Sequence, residues 1–168
     1  NLSARQFRQP GLAQDIARLL GELKLDPRSV ELEITESMLM EEMEMAVATM
    51  TSLNRLGVKL VIDDFGTGYS SLAYLKRFPI HRLKIDKSFI KDLARQAEDV
   101  AIVGSIITLA HSMKIAVIAE GIEDEYQLQQ LSRQACDEGQ GYLLARPMPV
   151  AEIERLLRQD FRHPALGS

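Results

Sequence analysis

Carboxylate side chains recur just past short β-rich runs along this 168-residue sequence. Because carboxylates held close together raise one another's pKa values, a bound divalent cation would remove a large electrostatic cost. Oxygen donors of this kind suit Mg²⁺ or Mn²⁺. The residues concerned are Glu33 and Glu36 after the first run, Asp63 and Asp64 after the second, Lys84 and Asp86 at the third, Glu120 and Glu123 after the fourth, and Gln140 beside a fifth.

Phosphodiester chemistry is one use of such a cluster. Two hard cations about 4 Å apart could clamp the attacking and leaving oxygens, while Lys84 could stabilise developing charge or hold the attacking water. Zinc fits less well, because His81, His111 and His163 are isolated and no His or Cys pair has ligand spacing. The alternative is that these are ordinary solvated acids, since charged residues form 26% of the chain, close to the average.

A glycine-rich segment at residues 63–71, reading Asp-Asp-Phe-Gly-Thr-Gly-Tyr-Ser-Ser, is the most distinctive stretch. Gly66, Thr67 and Gly68 would allow a tight loop that offers backbone N–H groups near the acids. It is not a Walker A loop, because no Gly-Lys-Ser/Thr follows. An Asp-Phe-Gly triplet also occurs in protein kinases, but the sequence has no His-Arg-Asp motif.

The elements that must position these groups alternate between strands and helices. Strands are predicted at residues 30–34, 58–62, 82–85 and 116–119, with a weaker fifth at 141–144 and amphipathic helical patterns between them. This alternation predicts an α/β fold with a parallel sheet. An open sheet would spread the acids along an edge, whereas a (β/α)₈ barrel would converge them on one mouth. We therefore favour the barrel.

Composition limits the partners and the compartment. A net charge of −4 disfavours a nucleic-acid polymer, and no apolar run reaches the roughly 20 residues that span a membrane. Cys136 is the only cysteine, which indicates a reduced, cytoplasmic compartment. The sequence has neither a signal peptide nor an initial Met. We therefore expect it to start inside a longer protein.

Several motifs, in the right order, resemble those of the EAL domain family. Asn1-Leu2-Ser3 resembles the family's Asn-Leu-Ser motif, and residues 33–37 resemble its Glu-Leu-Thr-Glu segment. Residues 62–72 nearly match its Asp-Asp-Phe-Gly-Thr-Gly-Tyr-Ser-Ser-Leu run. Residues 83–89 resemble its Lys-Ile-Asp motif, and residues 119–123, 139–142 and 146–149 complete the series. Together these motifs are highly specific.

The resemblance implies a modified TIM barrel that hydrolyses cyclic di-GMP to linear pGpG with two Mg²⁺ or Mn²⁺ ions, Ca²⁺ being inhibitory. It implies that Asn1, Glu33 and Asp63 bind one metal, and that Asp63, Asp64 and Glu120 bind the second. The resemblance also implies that Lys84 contacts the nucleophilic water and that Asp86 and Gln140 support the waters and metals. Glu36 would brace the glycine loop (Gly66, Thr67, Gly68), and Glu123 would lie behind the ligands or near substrate. Tyr142 and Pro147 would contact substrate.

One departure from the family is large: the Glu-Ala-Leu motif itself is absent. We expect a partial EAL domain at residues 1–160, lacking its first strands, with a tail at 161–168. We also expect this fragment to be impaired and its longer parent protein to be active. We expect the parent to form a homodimer and to carry an upstream sensor or GGDEF domain, and its upstream regions could anchor it to a membrane. Two alternatives stay open: a cyclic di-GMP receptor without hydrolysis, and a barrel enzyme that uses Lys84 as a Schiff-base amine.

Overall fold

Strands and helices alternate along the chain in the computed structural model, which describes residues 1–68, 72–93 and 97–158. The strands are β1 (Glu31–Thr35), β2 (Lys59–Phe65), β3 (Arg82–Ile85), β4 (Ala116–Glu120) and β5 (Glu138–Gln140). The helices are α1 (Ala4–Phe7), α2 (Leu12–Leu23), α3 (Glu36–Glu41), α4 (Met43–Arg55), α5 (Leu72–Leu75), α6 (Lys87–Lys91), α7 (Ala97–Ser112), α8 (Glu125–Arg133) and α9 (Val150–Arg158), with a 3₁₀ turn at Pro27–Ser29.

The described strands form one five-stranded sheet in the order β1-β2-β3-β4-β5, and every neighbouring pair is parallel. Strands that are consecutive in sequence therefore lie side by side, with helices in the connections. The carboxyl ends of all five strands consequently meet at one rim of the sheet. This is the arrangement that brings residues distant in sequence into a single site.

The hydrophobic core lies between the sheet and its helices. Alternate strand residues such as Ile34, Ile62 and Ile85 are almost fully buried, as are Met50 and Leu53 of α4. Because side chains alternate across a strand, burial of these positions leaves the intervening residues on the opposite face. That opposite face carries Glu33, Asp63, Lys84 and Glu120.

Strand positions largely follow the prediction, with one error. The first four strands begin within a residue of the predicted starts, and β2 continues through Phe65 instead of ending at 62. The fifth strand was predicted at 141–144 but forms at Glu138–Gln140. Residues 141–145 turn instead, because the Leu144 and Ala145 amides both donate to the Gly141 carbonyl while Leu143 donates to Ile122.

Some predictions lie outside the described residues. These are the end of the glycine-rich segment at 69–71, His163, the domain end at 160 and the tail at 161–168. Within the described part of the chain, no helix combines the length and the apolar character needed to cross a membrane.

Candidate active site at the rim of the sheet

Lys84 is the centre of the candidate site. Its side chain, only 7% exposed, points from β3 into a ring of carboxylates. The Nζ atom lies 2.5 Å from Glu120 Oε1, 3.1 Å from Glu33 Oε1 and 3.4 Å from Asp63 Oδ1. These partners come from β4, β1 and β2, so four strands converge on one ammonium group.

Burial and neighbouring charges change the pKa values of Lys84 and Glu120 in this ring. Burial opposes the charged form of Lys84, but hydrogen bonds to Glu120 and Glu33 outweigh it and raise the pKa of Lys84. Burial also raises the pKa of Glu120, an effect that Lys84 opposes and that the charges of Asp63 and Glu33 reinforce. Lys84 is therefore a permanent cation near neutral pH, surrounded by more negative charge than it can neutralise.

Asp63 and Asp64 reach the same side of the sheet through a β-bulge. The β2–β3 register pairs Ile62 with Leu83 and then Phe65 with Ile85, so two aspartates oppose the single residue Lys84. Asp64 has a left-handed backbone with φ of 54°, and its amide donates to Asp63 Oδ1 at 3.0 Å. Partial burial and the charge of Asp63 raise the pKa of Asp64. The bulge places adjacent residues together where a regular strand would separate them.

Glu36 holds the glycine loop beside the site. It is almost fully buried at the start of α3, and its Oε2 accepts from the Gly66 amide at 2.9 Å and from the Gly68 amide at 3.2 Å. The Thr67 hydroxyl donates to the Asp64 carbonyl at 2.9 Å. The loop is thereby tied both to β1, through the strand–helix junction, and to the end of β2.

Gln140 and Asp86 flank the ring in different ways. Gln140, at the end of β5, donates from Nε2 to Glu120 Oε1 at 2.7 Å. Asp86 follows β3 and caps α6, since its Oδ1 accepts from the Ser88 amide at 2.9 Å. Partial burial works against ionisation of Asp86, but these hydrogen bonds to Ser88 prevail and lower its pKa. Gln140 thus orients a ring member, whereas the contact shown for Asp86 is a helix cap.

Asn1 and Glu123 lie at the margins of the site. Asn1 is exposed, and the next residue, Leu2, donates its amide to the Glu33 carbonyl at 2.9 Å. That bond places Asn1 beside β1 near the ring. Glu123 is exposed and lies three residues past Glu120 in a loop held by Gln127, whose Oε1 accepts from the Glu123 amide at 2.7 Å.

A cavity of about 550 Å³ opens directly beside Glu120 and Gln140. Tyr142 and Pro147, which the sequence marked for substrate contact, both line it. Two cations that the sequence reasoning did not single out also line it. These are Lys87 and Arg146, and the Arg146 guanidinium stacks 4.6 Å from the centre of the Tyr142 ring. Both lie within the motifs at residues 83–89 and 146–149, which were the sequence features that could have indicated a role for them.

The donor set of the ring suits a hard cation. Within the described residues, oxygen atoms of Asp63, Asp64 and Glu120 all lie within 4.8 Å of one another. All three are partly buried carboxylates, and the pKa values of Asp64 and Glu120 are raised. A divalent cation would compensate that charge. Glu33 is not part of this three-residue group, although its Oε1 lies 3.1 Å from Lys84 Nζ in the same ring.

Known proteins are similar in sequence to most of the length of this chain. The family model described as the EAL domain matches residues 1–147. The signaling protein YkoW of Bacillus subtilis is 45% identical over 157 residues, which cover 94% of this chain and 20% of YkoW. The bifunctional diguanylate cyclase/cyclic di-GMP phosphodiesterase MucR of Pseudomonas aeruginosa is 44% identical over 91% of this chain and 22% of its own length. This chain thus spans about a fifth of these relatives.

Solved structures agree with the sequence relatives. The MucR phosphodiesterase in complex with cyclic di-GMP superposes with a TM-score of 0.88 at 44% identity, over 91% of this chain and 62% of that one. The EAL domain of Mycobacterium smegmatis DcpA gives a TM-score of 0.88 at 40% identity, over 95% of this chain and 71% of that one. The α/β class and a TIM-like barrel, incomplete in this chain, are confirmed. This chain belongs to the EAL domain family.

Proposed function

We propose that this chain carries the catalytic site of a phosphodiesterase that hydrolyses cyclic di-GMP to linear pGpG. The observation that carries the proposal is the ring of Glu33, Asp63 and Glu120 around Lys84, next to a 550 Å³ cavity. Relatives named as cyclic di-GMP phosphodiesterases, MucR and NbdA of Pseudomonas aeruginosa, match more than 90% of the chain.

Phosphodiesterases of the EAL family are metal-dependent, and the carboxylate ring fits that requirement. We assign Asn1, Glu33 and Asp63 to one ion and Asp63, Asp64 and Glu120 to a second, with Mg²⁺ or Mn²⁺ as the ions. When bound, such ions supply charge neutralisation at the phosphate and a lowered pKa for water. The crowding of partly buried acids around a single ammonium group supports this assignment.

Lys84 is suited to hold water and phosphate oxygen by hydrogen bonding. Because its pKa is raised, the amine stays protonated and does not act as a base or as a Schiff-base nucleophile. An ammonium group in this position can donate to the oxygen of the attacking water and to the charge that develops on phosphate. Gln140 orients Glu120 through the 2.7 Å hydrogen bond to Oε1, the oxygen that also lies 2.5 Å from Lys84 Nζ.

The cavity supplies binding groups for the rest of a dinucleotide. Tyr142, stacked on Arg146, offers a flat aromatic face, and Lys87 adds positive charge at the same wall. A purine ring could stack on Tyr142 and an anionic ester could approach Lys87. In the hydrolysis, the oxygen of water bonds to phosphorus and gives up a proton, one P–O3′ bond breaks, and the leaving O3′ takes up a proton. The product carries the 5′-phosphate and the free 3′-hydroxyl of pGpG.

The direct test is product analysis. The chain would be incubated with cyclic di-GMP and Mg²⁺ or Mn²⁺, and the nucleotides separated by reversed-phase chromatography. Formation of pGpG that stops on chelation supports the proposal. Activity in the expected longer parent but not in this chain would indicate an impaired fragment. Absence of pGpG from both at saturating metal, with tight binding of cyclic di-GMP by calorimetry, would instead establish a receptor. The carboxylates that surround Lys84, which a receptor would not need for hydrolysis, favour the enzyme over that alternative.

Cellular context belongs to the same proposal. Cyclic di-GMP is a second messenger inside bacteria, so we propose that the site faces the cytoplasm. The predicted homodimer and an upstream sensor or GGDEF domain stay predictions. Light scattering of the purified chain would decide the first, and the sequence preceding Asn1 in the encoding genome would decide the second.

A further inference from the structure

A second polar network lies on alternate strands, two residues nearer the amino end of each strand than the candidate site. Arg82 of β3 places Nη1 2.6 Å from Glu31 Oε1 on β1 and Nη2 2.9 Å from Glu138 Oε1 on β5. Lys59 Nζ lies 3.7 Å from the same Glu31 oxygen. We call Arg82, Glu31 and Glu138 the Arg82 bridge. The Arg82 side chain is 25% exposed, against 30% for Glu31 and 45% for Glu138, so the ion pairs are partly shielded from solvent.

Each member of the bridge lies two residues before a residue of the proposed site. Arg82 precedes Lys84, Glu31 precedes Glu33, and Glu138 precedes Gln140. Residues two apart on a strand lie on the same face, about 6.6 Å from each other. The bridge therefore repeats, on the same face of the same three strands, the arrangement of the site above it.

Two buried apolar residues separate the two polar levels. Val61 of β2 is paired in register with both Glu33 and Arg82, and Ile118 of β4 is paired with both Lys84 and Glu138. Val61 is 0% exposed and Ile118 is 9% exposed. Alternate strands thus contribute alternate layers, as the side chains inside a (β/α)₈ barrel do. Buried atoms of Val61 and Ile118 therefore lie between the two polar layers, and such packing is nearly incompressible.

The bridge constrains how the sheet curves. Strands two apart in a flat sheet are separated by about 9.6 Å, and each Arg82 ion pair crosses one intervening strand. One planar guanidinium can meet carboxylates on both sides because its donors form a rigid fork. Holding β1 and β5 to β3 fixes the distances among Glu33, Lys84 and Gln140, which sit on those strands.

We propose that Arg82 is a positioning residue that sets the geometry of the carboxylate ring without touching substrate or metal. The inference rests on the proposed function, because the ring is what it positions. The test compares Arg82→Met and Arg82→Lys with the unmodified chain. Arg77→Met serves as the control, since Arg77 makes a comparable two-point ion pair, at 2.7 and 2.8 Å to Glu44, away from the sheet.

The primary measurement is Mn²⁺ affinity by titration calorimetry, with circular dichroism to verify folding. We expect Arg82→Met to weaken Mn²⁺ binding by about tenfold, the lower end of the effect of groups that support metal ligands. Arg82→Lys should give a smaller loss, because it keeps the charge but not the fork. Arg77→Met should bind within about twofold of the unmodified chain. In turnover, kcat should fall while KM for cyclic di-GMP stays nearly constant.

The outcomes separate this inference from the proposed function. If the unmodified chain binds no Mn²⁺ and makes no pGpG, the proposed function fails and the inference with it. If the unmodified chain binds Mn²⁺ and folded Arg82→Met binds it equally tightly, the positioning inference alone is overturned, whether or not the chain makes pGpG. Should Arg82→Met not fold, Glu31→Gln and Glu138→Gln each remove one arm. Unchanged Mn²⁺ affinity in both would equally overturn it.

Discussion

Lys84 matters as a fixed positive charge among carboxylates. Replacement by Met keeps most of the side-chain volume but removes the donor that faces Glu33, Asp63 and Glu120. We expect pGpG formation by Lys84→Met to fall by roughly 10²-fold or more, the usual cost of deleting a donor to developing charge. Steady-state turnover at saturating Mn²⁺ measures it.

The matched control is Lys91→Met, because Lys91 is an exposed lysine in the last turn of α6. It should turn over at the unmodified rate. If Lys84→Met retained more than about a third of the activity while Lys91→Met was normal, Lys84 would not hold the water or the phosphate.

Asp137 shows how a single residue couples stability to pH. Burial disfavours its charged form, but hydrogen bonds from His111 and the Val117 amide, each 2.8 Å to Oδ2, lower its pKa. Because the folded-state pKa lies below the unfolded value of about 3.9, the stabilisation is complete above about pH 5. It is lost as the pH falls through the folded-state pKa.

Asp137→Asn should therefore be less stable at pH 7 by at most about 1 kcal/mol, since the side chain is 39% exposed and the pair is partly screened. Thermal denaturation at pH 7, 5 and 3 should show the difference from the unmodified chain shrinking toward pH 3. Glu154→Gln, at an exposed position on α9, should show no such trend. A constant difference across the three pH values would contradict the assignment.

At the scale of elements, the glycine loop depends on Gly66. Its φ of +100° is one that side chains rarely adopt, and an added Cβ would lie 2.7 Å from the Phe89 ring. Gly66→Ala should lower the free energy of unfolding by about 2 kcal/mol. It should also reduce turnover, because the loop amides bound to Glu36 would shift relative to Asp64.

Two further variants separate the effect of backbone strain at Gly66 from that of the contact with Phe89. Gly21→Ala lies in α2 with nothing within 4 Å of the added methyl group, so it should stabilise the chain by up to about 1 kcal/mol. Adding Phe89→Leu to Gly66→Ala relieves the contact but not the backbone strain, so part of the loss should persist. Urea denaturation measures both, and an undisturbed Gly66→Ala would show that the loop tolerates a side chain.

The strands illustrate what sequence patterns can and cannot predict. Apolar residues located β1 to β4, because they alternate with charged residues in β1 and β3 and follow one another in β2 and β4. The fifth was placed three residues late, since Glu138–Gln140 is exposed and polar and carries no such signal. The β2 bulge was not predicted either: a left-handed aspartate leaves no mark in composition, although adjacent acids required some departure from regular pairing.

For the whole molecule, the order of motifs carried more information than any element. Spacing alone favoured a barrel, and the series of motifs from Asn1 to Pro149 identified the family. Sequence patterns could not predict which side chains from different strands meet inside the barrel. The Arg82 bridge is formed by Glu31, Arg82 and Glu138, residues far apart in sequence, and only the register of alternate strands brings them together.

Metal binding should stabilise the molecule as a whole. Carboxylates from β2 and β4 lie within 4.8 Å of one another, so an ion that bridges them links separate strands only in the folded state. Mn²⁺ at about 100 times its Kd should add about 2.7 kcal/mol to the free energy of unfolding. Thermal denaturation with increasing Mn²⁺ should show a rising midpoint that chelation reverses.

The double variant Asp63→Asn with Glu120→Gln should lose this metal-dependent rise, because two of the donors become neutral amides. Ca²⁺ should also raise the midpoint in the unmodified chain yet support little pGpG formation, since its larger and more flexible coordination does not hold the site in a reactive geometry. A midpoint that rises with Mn²⁺ equally in the double variant would mean that the ion binds elsewhere, and the carboxylate ring would then not be the metal site.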